Sequence, residues 1–436
     1  MMQGTGAVGI SPRKLLIVLG VLVALAGFGR DVYNTLEYGG TDLRDRVVPA
    51  RVLARGMDPY HFKWKEGMPD TLLDPREFHG HPVSRVAVPP SALVLHIPFA
   101  ELPYRVQRIL WLAGQWGLLL LSAFLLASCA DAGWKRDTIW ILALVFIAGS
   151  VFWRLHVERG QVYVLWTAFF CLAYRLAHRE TPLFSMLSGF VLGFAGSCRP
   201  PLAFAALPLA VYRRWRILSG FVAGLAAGIA VPFLYGDSRI WVNYHACMRY
   251  LSKIYLGLIP DVHRGEIAPG RTMIEGMDNL RRLAYMPWCN SSVRTPLSKL
   301  LPRLGVTLTP GILTGLLLVA LTAMALYLLW NRRRTISTGM VFLLGIVVVF
   351  VSEYFMPVRN SYADVIWLVP LALIVVHSEA PERLLRRPLL LAVLALLLAA
   401  SAFSWMPKAL LIADYAMPAY VCLATARLLS KQPRSP

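Results

Sequence analysis

The polar residues best placed to do chemistry fall just outside apolar runs. The first group is Glu37-Tyr38-Gly39-Gly40-Thr41-Asp42, with Asp45 three positions on. A carboxylate beside two glycines can approach a hydroxyl and take its proton as a general base, provided it comes within hydrogen-bond reach. The same position suits an Asp that caps a following helix, and the residues alone leave both readings open. Arg159-Gly160-Gln161 and Ser197-Cys198-Arg199-Pro200-Pro201 each set an arginine at the edge of an apolar run. A guanidinium there can grip a lipid phosphate with two parallel hydrogen bonds, or simply snorkel toward the headgroups. The fourth group runs from Glu353 to Tyr362 and includes Arg359. Ionisable residues at span ends are weaker signals than those at mid-membrane. Four such groups from separated parts of the chain, all on one side, carry more weight together.

The elements that must position these groups are membrane spans. Of 436 residues, 57% are hydrophobic and 16% are charged, where a soluble domain carries about a quarter charged. The net charge of +20 would suggest nucleic acid in a soluble protein. Here many of the cations lie in short clusters between apolar runs, which is the positive-inside pattern, so nucleic acid is not an expected partner. Candidate spans fall near 14–30, 109–130, 137–154, 160–177, 182–198, 200–212, 217–235, 309–330, 337–356, 363–378, 388–403 and 409–428. The first is read as an uncleaved span, because no A-x-A-like site follows it.

With the N-terminus inside, these spans place Lys135/Arg136, Arg175/Arg179, Arg213/Arg214/Arg216, Arg332–Arg334, Arg383/Arg386/Arg387 and Arg427/Lys431/Arg434 on one side. The segment 88–104 is apolar but short, and Pro98 interrupts it. If it crossed, every later cluster would flip outside. It is therefore expected to be an interfacial or re-entrant helix, whose irregular backbone must be covered by protein or line a wet cavity. Leu43–Leu53 is expected to be an amphipathic helix on the membrane surface. The expected fold is an all-α polytopic membrane protein of about twelve spans. It forms one domain over 1–436, with long outer loops at 30–108 and 236–308 carrying interfacial helices. Loops of that length are usually functional.

Cys129, Cys171, Cys198 and Cys422 read as small apolar fillers, whereas Cys247 and Cys289 share the second outer loop and could pair on an oxidising side. The chain has no phosphate-cradling Walker loop, no G-x-G-x-x-G after a strand, no H-E-x-x-H and no C-x-x-C. ATP-driven transport by this chain alone is thereby disfavoured. A flippase or transporter of lipid-linked sugars is the main alternative to an enzyme. It should gather ionisable groups around the midplane, often in repeated halves, whereas here the polar groups lie at outer ends.

These residues, in this order, resemble the GT-C superfamily of membrane glycosyltransferases, and most closely glycosyltransferase family 87. The resemblance rests on Asp42-Leu-Arg-Asp45-Arg46 followed by Pro49-Ala50-Arg51 and Gly56-Met57-Asp58-Pro59-Tyr60, and on Pro89-Pro90 leading to Pro98-Phe99-Ala100-Glu101-Leu102-Pro103. It extends through Gly160-Gln161 and Arg199-Pro200 to a Pro208-containing span and the exit Tyr212-Arg213-Arg214-Trp215-Arg216. Val162-Tyr163 stand where the family usually has a polar Asn, and the family's His-containing outer motif has no clear counterpart near Arg359-Asn360-Ser361-Tyr362.

The resemblance implies transfer of a sugar, mannose or arabinose foremost, from a polyprenyl-phosphate donor to an acceptor hydroxyl on a glycolipid, a polysaccharide or a protein. Asp42 would be the base of a single inverting displacement. Arg199 and Arg359 would stabilise the leaving phosphate, with Arg271 and Lys253 in reserve. Gln161, Asp45, Tyr38 and Tyr362 would bind sugar or acceptor. Some members of the superfamily use a divalent metal and others do not; no cofactor is favoured here, because a hard cation wants about six oxygens and Asp42 with Asp45 makes a poor metal site. The implied location is a bacterial cytoplasmic membrane, with both termini cytoplasmic and the site outside.

Overall fold

The computed structural model describes residues 12–37, 39–73, 75, 86–256, 258, 291–379 and 407–433. Tyr38, Arg271, Cys289, the expected span 388–403, and Arg383, Arg386, Arg387 and Arg434 lie outside them. Among the described residues the chain is helical and has no strand. The helices are α1 Pro12–Glu37, α2 Thr41–Ala54, α3 Pro90–Val94, α4 Ile97–Ala100, α5 Tyr104–Ala127, α6 Gly133–Ile141, α7 Val151–Arg159, α8 Tyr163–Ala177 and α9 Pro182–Cys198. They continue with α10 Ala206–Val211, α11 Trp215–Ala230, α12 Ile240–Tyr255, α13 Arg294–Leu300, α14 Pro310–Trp330, α15 Thr338–Tyr354, α16 Leu368–Val376 and α17 Pro407–Ser430.

Side chains set many of the helix starts. Ser150, Thr181, Thr309 and Ser337 each accept a backbone N–H from the first turn of α7, α9, α14 and α15, and such caps stabilise a helix by about 1 kcal/mol. Among the described residues three helices are long and apolar enough to cross a membrane: α5, α11 with its extension to Leu234, and α14. Gly133–Ile147 and Val151–Arg159 form a further apolar pair, bent by 67°. Length and composition among the described residues give at least these spans and do not confirm the expected count of about twelve. Several expected spans are shorter or broken: Pro200–Ala205 and Ser361–Trp367 are 3-10 turns, and Leu142–Ile147 is a π-turn. Segment 88–104 folds into α3 and α4, both too short to cross.

One expectation is corrected. Leu43–Leu53 is not a surface helix. Leu43, Val47, Val48, Ala50, Val52 and Leu53 are all buried, because α2 packs between α3, α4, α7 and the turn Asp70–Leu72. Two of the helices carry a buried acid near one end. Asp31 of α1 is 2% exposed and accepts from the indoles of Trp116 and Trp153 at 3.0 and 2.9 Å. Asp414 of α17 is buried and accepts from Ser361 Oγ at 3.0 Å.

The closest helix pair is α9 with α11. Gly189 and Gly193 press on the α11 backbone at Ile217 and Phe221, Gly220 and Gly224 press on the α9 backbone at Met186 and Phe190, and a Cβ at Gly189 or Gly220 would run into the backbone carbonyl of Ile217 or Met186. Small residues four apart let two backbones touch, which is the packing that apolar surroundings favour. Basic connectors gather at the opposite end of the helices from the polar groups singled out in the sequence. Arg214 Nη2 donates to Ile336 O at 2.6 Å, Arg334 Nη1 to Ser430 O at 2.8 Å and Lys135 Nζ to Val376 O at 2.7 Å. α8 runs from Tyr163 down to Arg175, and α15 climbs from near Ile336 to Glu353. Chemistry-bearing residues and basic clusters therefore occupy opposite ends of the same helices.

Candidate active site

Asp42 lies in the first turn of α2. The turn before it needs Gly40, whose φ of 61° is left-handed and whose missing Cβ leaves room for the Arg108 guanidinium. Tyr104 Oη holds that turn by donating to Gly39 O at 2.6 Å. Gly40 takes the cap position and Asp42 makes no cap hydrogen bond, so its carboxylate faces outward from the helix to other partners.

Those partners come from the turn between α7 and α8. Arg159 Nε and Gln161 Nε2 both donate to Asp42 Oδ2, and Arg159 Nη2 donates to Oδ1 at 2.9 Å. Only 13% of the Asp42 side chain is exposed. Gly160 closes α7 with φ of 70°, and a Cβ there would lie 2.7 Å from Leu43 Cβ. This lets the turn press directly on α2.

Gln161 is fixed from three sides. Arg46 Nη2 donates to its Oε1 at 2.9 Å while Arg46 Nη1 donates to Gly160 O at 3.0 Å. Gln115 Nε2 and Trp111 Nε1 donate to Gln161 O at 2.9 and 3.2 Å. Arg46 is fully enclosed; burial lowers its pKa, against the opposing pull of Asp42 first and Asp45 next. With its oxygen held by Arg46, the Gln161 amide must turn its NH₂ to Asp42. Behind the turn, His156 accepts the Val164 N–H at 3.2 Å and stacks on Trp153 with ring centroids 5.5 Å apart.

Two tyrosines connect this centre to a second one. The 3-10 turn Ser361–Trp367 packs on α7 and α8. Its Tyr362 ring lies 5.4 Å from Arg159 Cζ and 5.6 Å from the Tyr163 ring. Tyr163 in turn lies 4.2 Å from Arg199 Cζ, a cation–π distance. Arg199 Nε and Nη2 both bond Glu353 Oε1 at 2.8 Å. Glu353 is 1% exposed, whereas the Arg199 side chain keeps 20% of its surface open. An ordered row results: Asp42, Arg159, Tyr362, Tyr163, Arg199, Glu353.

Of the residues singled out in the sequence, Asp42, Gln161, Tyr362 and Arg199 come together, with Asp45 one turn along α2. Arg359 does not join them. It is 2% exposed, bonds Asp364 and Ser291 Oγ at 2.6 Å each and covers the Tyr354 ring at 4.2 Å. A guanidinium so enclosed ties Ser361–Trp367 to its neighbours and has no face for a phosphate. Lys253 lies on the exposed outer side of α12. Cys247 donates to Val86 O at 3.6 Å. Sequence reasoning missed Arg46, although it stands one helical turn beyond Asp42 on the same face. It also registered Tyr163 only as a departure; here that ring forms the link to Arg199.

The family model described as glycosyltransferase family 87 matches residues 88–353, more than half of the chain. The match takes in Arg159, Gln161, Tyr163, Arg199 and Glu353 and begins after Asp42. No curated protein and no solved structure matches the chain.

Proposed function

Because the chain belongs to glycosyltransferase family 87, we propose that it moves a sugar from a polyprenyl-phosphate donor to an acceptor hydroxyl, with Asp42 as general base. The observation that carries this reading is the row from Asp42 to Arg199. A base and a phosphate-seeking cation stand at its two ends, with aromatic rings between them. An inverting displacement needs that order: the hydroxyl is deprotonated on one side of the anomeric carbon, and charge departs onto the phosphate on the other.

Asp42 Oδ2 accepts from Arg159 and Gln161, whereas Oδ1 accepts from Arg159 alone. Oδ1 therefore retains capacity for the acceptor hydroxyl. As the oxygen attacks, its proton passes to Asp42 and the bond to the phosphate oxygen breaks. Arg199, held in place by Glu353 and Tyr163, stabilises that leaving charge without having to reorganise, which is where preplaced donors lower a barrier most. The faces of Tyr163 and Tyr362 offer the sugar ring an apolar wall, and Asp45 lies within reach of an acceptor. Arg359 supports the site from behind. In this reading the site opens to the outer face of a bacterial cytoplasmic membrane and both termini lie inside, in keeping with the basic connectors at the far end. Mannose and arabinose are the first sugars to test.

The test is transfer from radiolabelled polyprenyl-phosphate sugars to membrane acceptors by wild type and Asp42→Asn protein in nanodiscs. Transfer by wild type, lost in a variant that still binds donor, supports the assignment. Full turnover by Asp42→Asn would end it.

A further inference from the structure

We propose that α12 carries a docking site for the phosphate head groups of anionic phospholipids at the membrane surface. One face of α12 holds the helix to the protein. Ile240 and Leu251 are buried, Asn243 Nδ2 donates to Asp58 Oδ2 at 3.1 Å, and Tyr244 lies 5.6 Å from the Tyr60 ring. The opposite face presents Trp241, Val242, His245, Arg249, Tyr250 and Lys253 along a groove of about 640 Å³. Val242, His245, Arg249 and Lys253 follow at spacings of three and four, which places these four on one stripe of the helix.

Among the described residues, His245, Arg249 and Lys253 are exposed and have neither an ion pair nor a hydrogen bond. This sets them apart from Arg46, Arg159, Arg199 and Arg359, all of which are partnered inside the protein.

The start of α12 is fixed at membrane level. Trp241 Nε1 donates to Ile229 O at 2.9 Å, and Ile229 lies in the last turns of the span Trp215–Leu234. The indole thus reaches back about 7 Å along that span, at 1.5 Å per residue. Tryptophans concentrate at that boundary. From there the stripe leads outward through His245 to Arg249 and Lys253. That the boundary is the outer one rests on the orientation proposed above; the binding itself does not.

The groove's chemistry selects the occupant. Two permanent cations call for an anion. Val242 is 66% exposed and Tyr250 36% exposed, and both call for hydrocarbon. Free phosphate satisfies the cations alone. A lipid with a charged head group satisfies both, as basic amphipathic helices do at an anionic surface. The groove is also separate from the Arg199 centre. Tyr244, on the inward face, feels Arg199: burial pushes the Tyr244 phenol up to about 12 and the guanidinium opposes the rise. Arg249 and Lys253 face the other way.

The experiment is native mass spectrometry of the full chain after exchange into mixed phosphatidylglycerol and phosphatidylcholine of matched acyl chains. Wild type is compared with Arg249→Ala/Lys253→Ala and with the control Lys299→Ala/Arg303→Ala, which removes two exposed cations elsewhere. Retention of phosphatidylglycerol should fall about fivefold for each cation removed from α12, with phosphatidylcholine and the control unchanged. A second readout needs no variant: wild-type retention should drop as salt rises from about 0.05 to 0.5 M, because screening shortens the reach of exposed charges. Equal retention by wild type and the α12 variant, or no response to salt, overturns the proposal. Displacement by inorganic phosphate as readily as by lipid makes the groove a free-anion site and also overturns it. Selective retention of a polyprenyl phosphate over phosphatidylglycerol overturns it too, giving the groove to the donor. No outcome depends on sugar transfer, so the site can fail while the catalytic reading stands, and the reverse.

Discussion

Arg199 has two separable tasks, and a pair of variants can divide them. Glu353 is 1% exposed, and its Oε1 accepts both bonds from Arg199 at 2.8 Å. Arg199→Met leaves that carboxylate buried without its counter-charge, a loss of roughly 3–5 kcal/mol when one partner of a buried pair is removed. Combining Arg199→Met with Glu353→Leu takes away both charges and refills the space with apolar side chains. Such replacements are often neutral or better, so thermal stability in nanodiscs should return to near the wild-type value. Turnover should not return. If Arg199 stabilises the departing phosphate, losing one preplaced donor lowers the rate by about 10²–10³, and the double variant lacks that donor as fully as the single one. The assay pairs a thermal melt with single-turnover transfer from a labelled donor. A double variant that regains stability and transfer together refutes the reasoning, because Arg199 would then be only a lock on Glu353.

Other outcomes follow from the same geometry. Asp42→Asn should lower single-turnover transfer by about 10²–10⁴, the usual contribution of a general base, while donor affinity measured by equilibrium binding stays within a few-fold. Arg46→Met should lower turnover by freeing the Gln161 amide to flip; Gln161→Glu in that background should not rescue it, since two carboxylates would then face each other. Gly160→Ala should destabilise the fold by about 1–2 kcal/mol from its left-handed φ alone, and more because of Leu43, as read by thermal melting. His96 titrates at about 3 because of burial first and Arg46 second. Its depressed folded value means that it favours the fold above about pH 6.5 and ceases to do so as pH falls from there toward 3. A His96→Phe variant should show a flatter loss of stability across that window.

How much of this was legible before the fold was known differs by residue. Asp42, Gln161 and Arg199 were visible because each falls just outside an apolar run, where a polar side chain stands out from its apolar neighbours. Arg359 looked equivalent by that test. Its enclosure by Asp364 and Ser291 depends on how two distant segments meet, which periodicity does not encode. The glycines of α9 and α11 recur every fourth residue, a pattern open to reading but informative only once the two helices are known to touch.

Composition and charge spacing by themselves determined that the chain is helical and membrane-bound, with its polar groups and basic clusters apart. Those properties follow from transfer free energies, which add along the chain. The tertiary structure decided the rest. It turned the expected surface helix 43–53 inward, broke expected spans into 3-10 and π turns, and set Arg46, Tyr163 and Tyr362 between Asp42 and Arg199. Hydropathy reports how much a segment prefers to leave water. It does not report which neighbour covers the segment afterwards, and that neighbour assigns each buried charge its partner.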